Sequence, residues 1–282
     1  IDSLSYDCFG YKHSTIGSMA DLSAADLDDV KEFFRIYYAP NNAVLSLVGD
    51  FDPAEATAKI KQYFADVARQ PNPPPPLPCE EDRYGERREI VMDPLARVPM
   101  LLVAYQIPPG NTPENYALRV LGDIAGRGQS SRLYQSLVKE KQLATDIQIQ
   151  TDARRGPSLM YFTAMLRPGV KPEDVEKAMY DVIAAIAKDG VTSGEIDKVR
   201  MGNLRREVQA RESALQLANR IGNAAVYFND PNLINTALEK YNAVTADDIK
   251  NAAGKYLVRS VRAVVLAQPE AGAAQEAAGG QQ

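Results

Sequence analysis

Residues 33–52 read FFRIYYAPNNAVLSLVGDFD, and this stretch decides how the whole chain is read. Leu27, Val30, Phe33, Phe34, Tyr37 and Tyr38 recur at the spacing of one helical face, so a helix is expected to close near Tyr38. Pro40-Asn41-Asn42 stops it, because the residue before a proline is pushed out of the helical region. Residues 43–48 are then a short apolar run of strand type, ended by Gly49-Asp50. A helix face followed by a buried strand is half of a layered α/β unit.

Working outward, Ser23-Ala24-Ala25-Asp26 is expected to start this helix, with the Ser23 hydroxyl as cap and an acid at the third position. Downstream, Asp52-Pro53-Ala54-Glu55 opens another helix: the aspartate caps, the proline fits the first turn, and Glu55 meets the positive end of the dipole. Ile60, Phe64 and Val67 give it a buried face that ends near Ala68. Residues 70–84 follow, dense in proline. Successive prolines favour extended polyproline II, so this segment reads as a stiff spacer between a first domain, 1–69, and a second, 85–269.

In the second domain, residues 88–92, 100–107, 144–151, 159–166 and 262–267 read as strands. Thr112-Pro113-Glu114 opens a helix with Val120, Leu121 and Ile124 inward, and residues 131–141 form another. Gly126-Arg127-Gly128 follows a helix rather than a strand and lacks a third glycine, so it reads as a turn and not a phosphate loop. Pro172 opens a helix with Val175, Met179, Val182, Ile183 and Ile186 on one face, ended by Gly190. Thr192-Ser193-Gly194-Glu195 is a capping box, and the helix behind it is expected to run past Leu215, with a further stretch to Phe228. Its charges Arg205, Arg206, Glu207, Arg211 and Glu212 read as a solvated face. Helices over residues 233–241 and 246–256 follow, and residues 270–282 read as a flexible tail.

The closing unit occurs twice. Residues 23–27 open a helix that leads to the apolar run 44–48, and residues 245–249 open a helix that leads to 263–266. Leu27 is matched to Ile249, Val30 to Ala252 and Phe34 to Tyr256, a spacing of 222. The second copy closes the stretch 85–269, whereas the first has only residues 1–22 ahead of it. The first domain is therefore expected to lack most of its front. An Ile at position 1 is expected to mark a processed product or an excised piece.

At 282 residues, with 45% apolar and 24% charged side chains, the composition is that of a globular protein. The net charge of −5 without a basic block argues against nucleic acid or an anionic membrane, and no apolar run reaches the length of a membrane span. Cys8 and Cys79 are expected as free thiols, one buried and one in the linker. His13 is the only histidine and no second His or Cys stands at ligand spacing, so it reads as an ordinary polar residue.

Several of these segments carry a resemblance. Tyr37-Tyr38-Ala39-Pro40-Asn41-Asn42-Ala43 with Gly49-Asp50, then Ser130-Ser131-Arg132-Leu133-Tyr134, then residues 137–143, then Gly190-Val191-Thr192 with Glu195 stand in this order over residues 7–269. In that combination the chain resembles the pitrilysin/insulinase-type zinc peptidases, the inverzincins. The resemblance implies an α+β fold of two similar tandem domains, each a mostly antiparallel sheet packed with helices, the first one incomplete here. It also implies a parent that cuts peptides in a closed chamber formed with a second homologous half or a second copy. Such a parent holds zinc through H-x-x-E-H, which this sequence lacks, so no metal ligand and no catalytic residue is assigned to this chain; the acidic pair Glu80-Glu81 lies in the linker. The family's non-catalytic half supplies an Arg and a Tyr to the substrate carbonyl, at positions held here by Val138 and Thr145. Neither can polarise a carbonyl as a guanidinium and a phenol would. The chain is therefore expected to be the rear of the zinc-bearing half, inactive alone, forming chamber wall and domain interface; the alternative is a non-catalytic scaffold or partner subunit. A cytoplasmic and a periplasmic setting both stay open.

Overall fold

Along the computed structural model, which describes residues 1–77, 79 and 85–270, the elements are α1 (Asp2–Ser5), α2 (Phe9–Lys12), α3 (Met19–Ala24), α4 (Leu27–Tyr37), α5 (Pro53–Phe64), β1 (Arg87–Asp93), β2 (Met100–Ile107), α6 (Pro113–Gly126), a π-helical turn (Tyr134–Glu140), β3 (Ala144–Thr151), β4 (Ser158–Leu166), α7 (Pro172–Asp189), α8 (Ser193–Arg211), α9 (Ala214–Phe228), α10 (Leu233–Asn242), α11 (Ala246–Tyr256) and β5 (Ala263–Pro269). Glu80, Glu81 and the expected tail beyond Glu270 lie outside the described residues. The class is α+β. Two compact units form, neither a single stretch: Ile1–Lys12, Pro78–Asn203 and the chain from Glu239 onward make one, His13–Leu77 and Leu204–Leu238 the other.

The larger unit is built on a five-stranded sheet of order β1-β5-β2-β4-β3. All neighbours are antiparallel except β1 and β5, which run parallel. Alternation along β2 and β4 sends Leu101, Val103, Tyr105, Phe162, Ala164 and Leu166 to one face, where all are buried. Onto that face pack Leu118, Leu121 and Ala125 of α6, Val175, Met179 and Ile183 of α7, and Ile249, Ala252 and Tyr256 of α11. Tyr105 and Phe162 meet edge to face at 5.7 Å in the middle of this core. Helix α6 lies close on β3 because residue 126 has no side chain: a Cβ there would stand 2.5 Å from Ile149.

Helix starts follow the expected caps with one correction. Thr112 and Asp52 cap α6 and α5, and Thr192 and Glu195 make their reciprocal box at the head of α8. Ser23 does not cap α4. Its hydroxyl donates to the Met19 carbonyl inside α3, and Asp26 is the cap, boxed with Asp29. The closing helix α11 is boxed by Thr245 and Asp248. The two helices thus match at a spacing of 219 (245 − 26, and 248 − 29), not 222, and both are 11 residues long. The same spacing lays Val44 on Ala263 and Leu45 on Val264, so helix and apolar run move together.

Three further expectations are corrected. Residues 43–48 form no strand, because a strand needs a neighbour and no described strand pairs with them. The long helix breaks after Arg211, where Ser213 accepts from the Gln216 amide and starts α9. Glu207 is not simply solvated: Arg211 and Arg220 donate to it at 2.8 and 2.6 Å, and its side chain is largely covered.

Cys8 and Cys79 are not free thiols but a disulfide, their Cα atoms 5.6 Å apart and 71 residues apart in sequence. Folding of residues 1–12 onto the larger unit brings them together. The Tyr6 hydroxyl donates to the Pro157 carbonyl at 2.7 Å, and the Gly156 amide donates to the Tyr11 hydroxyl at 2.9 Å. The Arg154 guanidinium lies over both tyrosine rings, and Arg87 binds the Asp7 carboxylate with two hydrogen bonds. Closing so long a loop restricts the unfolded chain by about 2–4 kcal/mol. Dithiol reductant is therefore expected to lower the urea midpoint of the wild-type chain to that of Cys8→Ser, and to leave the variant's own midpoint unmoved.

Candidate functional site

The sheet of the larger unit has a second face, and its residues form the candidate site. Pairing sets Met100 against Met165 and Ala267, and Leu102 against Thr163 and Val265; Glu89 and Val91 of β1 continue the row beyond β5, and Asp146 and Gln148 beyond β4. These side chains point away from the buried core face and are half-buried or exposed. Residues 1–12 cover one end of the row. There Arg87 donates to the Leu4 carbonyl at 3.2 Å, Gln106 donates to the Ser5 carbonyl, and Arg154 reaches Asp2 at 3.2 Å. The rest is a shallow apolar strip edged by the amide of Gln148 and the carboxylate of Asp146. It presents the side chains of Met100, Leu102, Met165, Val265 and Ala267, while the main chain beneath them is paired between strands.

The two positions singled out for carbonyl polarisation do not converge on this strip. Val138 lies in the π-helical turn, buried in the core. That turn is wide enough for the Lys141 amide to reach back to the Ser136 carbonyl at 2.9 Å. Thr145 is exposed at a bulge between Ala144 and Asp146, and its hydroxyl donates to the Met165 carbonyl at 3.3 Å. Gly126 closes α6, and the chain turns behind it at Arg127-Gly128, with residue 128 at φ 74°. His13 is exposed.

The motif residues Arg132 and Glu195 do meet. Arg132 clasps the Glu195 carboxylate through two hydrogen bonds of 2.7 Å, and the Thr192 amide donates to the same carboxylate at 2.8 Å. The pair ties the π-helical segment to the head of α8. The strip itself was missed in the sequence because both faces of β2 and β4 are apolar, which reads as strands buried on both sides. The signal that could have found it is polar alternation on the neighbouring strand β3, where Asp146, Gln148 and Gln150 share the open face.

Residues 24–203 match the family described as Peptidase M16 inactive domain. The chain belongs to the peptidase M16 family. The pitrilysin/insulinase-type resemblance is thereby borne out, and what this chain carries is the family's inactive domain. A zinc protease of Helicobacter pylori, PqqE, is 24% identical over 261 residues, covering 92% of this chain and 59% of the relative. In solved structures the fold is shared with a protease from Helicobacter pylori, at a TM-score of 0.87 and 24% identity over 94% of this chain and 64% of that one. A peptidase M16 inactive domain from Pseudomonas fluorescens superposes at a TM-score of 0.82 with 22% identity, over 95% of this chain and 63% of that one. This M16 chain spans somewhat over half the length of the bacterial zinc proteases it matches.

The Arg132–Glu195 clasp has a pH signature. The hydrogen bonds from Arg132 outweigh burial and hold the Glu195 carboxyl at about 2, against an ordinary value of 4.5. A depressed carboxyl stabilises the fold above its unfolded value and loses that contribution as pH falls through the folded one. Glu195→Gln is expected to cost about 1–2 kcal/mol at neutral pH and to flatten the acid limb of stability between pH 4.5 and about 2, as read by urea unfolding across that range.

Proposed function

We propose that this chain is the non-catalytic portion of a zinc-dependent metalloendopeptidase, forming chamber wall and domain interface while the metal is held elsewhere in the parent. The observation that carries the reading is the open apolar sheet face on a Peptidase M16 inactive domain. In the parent this face would line the chamber and hold peptide in extended form. The chain's own residues do not fit zinc: among the described residues no three His, Cys, Asp or Glu side chains gather, and the sequence has a single histidine. The metal is assigned to an H-x-x-E-H segment of the parent outside this sequence, and no reaction step is assigned here.

The corrected repeat supports two similar tandem domains with the first incomplete. At a spacing of 219, Val30, Phe33 and Tyr37 stand where Ile249, Ala252 and Tyr256 stand in α11. The α11 residues are at most 5% exposed, whereas Val30 and Phe33 are 47% and 53% exposed. A face built to close a sheet is thus left without one among the described residues. We assign the chain to the zinc-bearing half because Val138 and Thr145 stand at the Arg and Tyr positions of the other half. The partner would be that second homologous half, or a second copy. The name of the matched domain favours one further reading, a scaffold or partner subunit with no metal anywhere in the parent. Among the described residues no helix is long and apolar enough to cross a membrane. The Cys8–Cys79 disulfide favours an oxidising compartment, the periplasmic setting of the two.

The test is to express the protein with its upstream coding sequence and to measure bound zinc and cleavage of an unstructured peptide library. One tightly held zinc and chelator-sensitive cleavage are expected there, while the 282-residue chain alone retains no stoichiometric zinc after metal-free dialysis. An upstream-complete protein with neither zinc nor cleavage would leave the scaffold reading in its place.

A further inference from the structure

We propose that the outer edge of β1 pairs with the same strand of a second copy of this chain, antiparallel, in the register that sets Ile90 against Ile90. Strand β1 stands at the end of the sheet, and β5 is its only neighbour among the described strands. In the parallel pairing with β5, odd-numbered residues of β1 make the hydrogen bonds. The Arg87 amide donates to the Arg262 carbonyl at 2.9 Å, and the Glu270 amide donates to the Asp93 carbonyl at 3.3 Å. The amides and carbonyls of Arg88, Ile90 and Met92 therefore point the other way, out of the edge.

Edges of this kind are usually blunted by charge, proline or a bulge. This one carries three consecutive apolar side chains, with Ile90 60%, Val91 40% and Met92 49% exposed. Main-chain groups and apolar surface are thus offered together, over seven residues. That combination fits an added strand better than a small molecule.

The charges at the strand's two ends select both the partner and the register. An antiparallel partner must match outward-facing residues with outward-facing residues, so the register can shift only in steps that keep Arg88, Ile90 and Met92 in hydrogen-bonded pairs. Centred on Ile90, the pairing puts Arg87 opposite Asp93 of the second copy, and Asp93 opposite its Arg87. Arg88 then faces Met92, and Glu89 faces Val91. One step in one direction sets Glu89 against Glu89, and one step in the other sets Glu89 against Asp93; like charges directly opposite are destabilising. Arg87 is already held in place by Asp7. The sequence RREIVMD is self-complementary in this register, which is what a two-fold contact requires. The result is one sheet continuous across two copies. This contact stands apart from the peptidase reading: a chain without zinc or activity would pair in the same way.

The experiment is sedimentation equilibrium on the full chain. The wild type is expected to be a dimer. Ile90→Lys sets two ammonium groups face to face and is expected to give a folded monomer whose thermal midpoint, unlike the wild type's, does not depend on protein concentration, since the residue is exposed in the single chain. Arg87→Asp and Asp93→Arg are each expected to raise the dimer dissociation constant by about tenfold, about 1.4 kcal/mol. Their equimolar mixture restores pairing, because each reversed charge then meets its opposite. A dimer that survives Ile90→Lys would overturn the proposal. So would a wild-type monomer, including one whose Ile90 and Met92 amides are protected from hydrogen exchange, since another part of its own chain would then cover the edge.

Discussion

The buried contact between Arg262 and Glu176 is what the sheet depends on. Arg262 stands one residue before β5, the last strand in sequence, which inserts between β1 and β2. Its side chain is fully buried, and it binds Glu176 of α7 and, at 2.9 Å, Glu86 just ahead of β1. Arg88 donates to the same Glu176 at 2.9 and 3.0 Å. Burial alone would push the Glu176 carboxyl up. The hydrogen bonds from Arg88 and the charge of Arg262 outweigh it and hold the group below the usual carboxylate range. One cluster therefore joins the first strand, the last strand and the helix that packs beneath them. Removing one member would leave a buried charge with too few partners, at a cost on the order of 3–5 kcal/mol.

This closure explains why the core is one-sided. Once β5 is seated, α6, α7 and α11 fill a single face with interlocking side chains, and within the larger unit residues 1–12 lie over one end of the other face. A sheet normally hides both faces when both are apolar. Leaving Met100, Leu102, Met165 and Val265 half-covered costs transfer free energy on the order of 25 cal/mol per Å² of apolar surface. Apolar surface left open in this way marks a place for a further contact. Helix α4 likewise leaves Val30, Phe33 and Phe34 about half exposed.

The disulfide adds a second constraint of a different kind. Cys8 follows the segment that covers one end of the open face and Cys79 precedes β1, so the bond ties residues 1–12 to the chain ahead of β1 within the larger unit. The tyrosine–arginine stack at Arg154 and the Arg87–Asp7 pair act in the same direction. Residues 1–12 are thereby part of the larger unit, although more than sixty residues separate them from it in sequence.

Periodicity and capping chemistry were enough, from the sequence alone, to determine the strands of the larger unit and most helix starts, because these rest on local spacing; the α+β class and the family were legible through the resemblance that short motifs such as Thr192 with Glu195 carry. The missing H-x-x-E-H was equally legible, since one histidine cannot make it. Other features waited for the tertiary structure. Residues 43–48 have strand composition and no strand, because pairing needs a neighbour that no local pattern supplies. The repeat spacing moved from 222 to 219 once Asp26 replaced Ser23 as the cap, a choice between adjacent polar residues that only backbone geometry makes. The Cys8–Cys79 bond, the open face and the place of β1 at the end of the described sheet all depend on which distant segments lie side by side. Sequence spacing fixes which side chains share a face; only packing decides whether that face is covered.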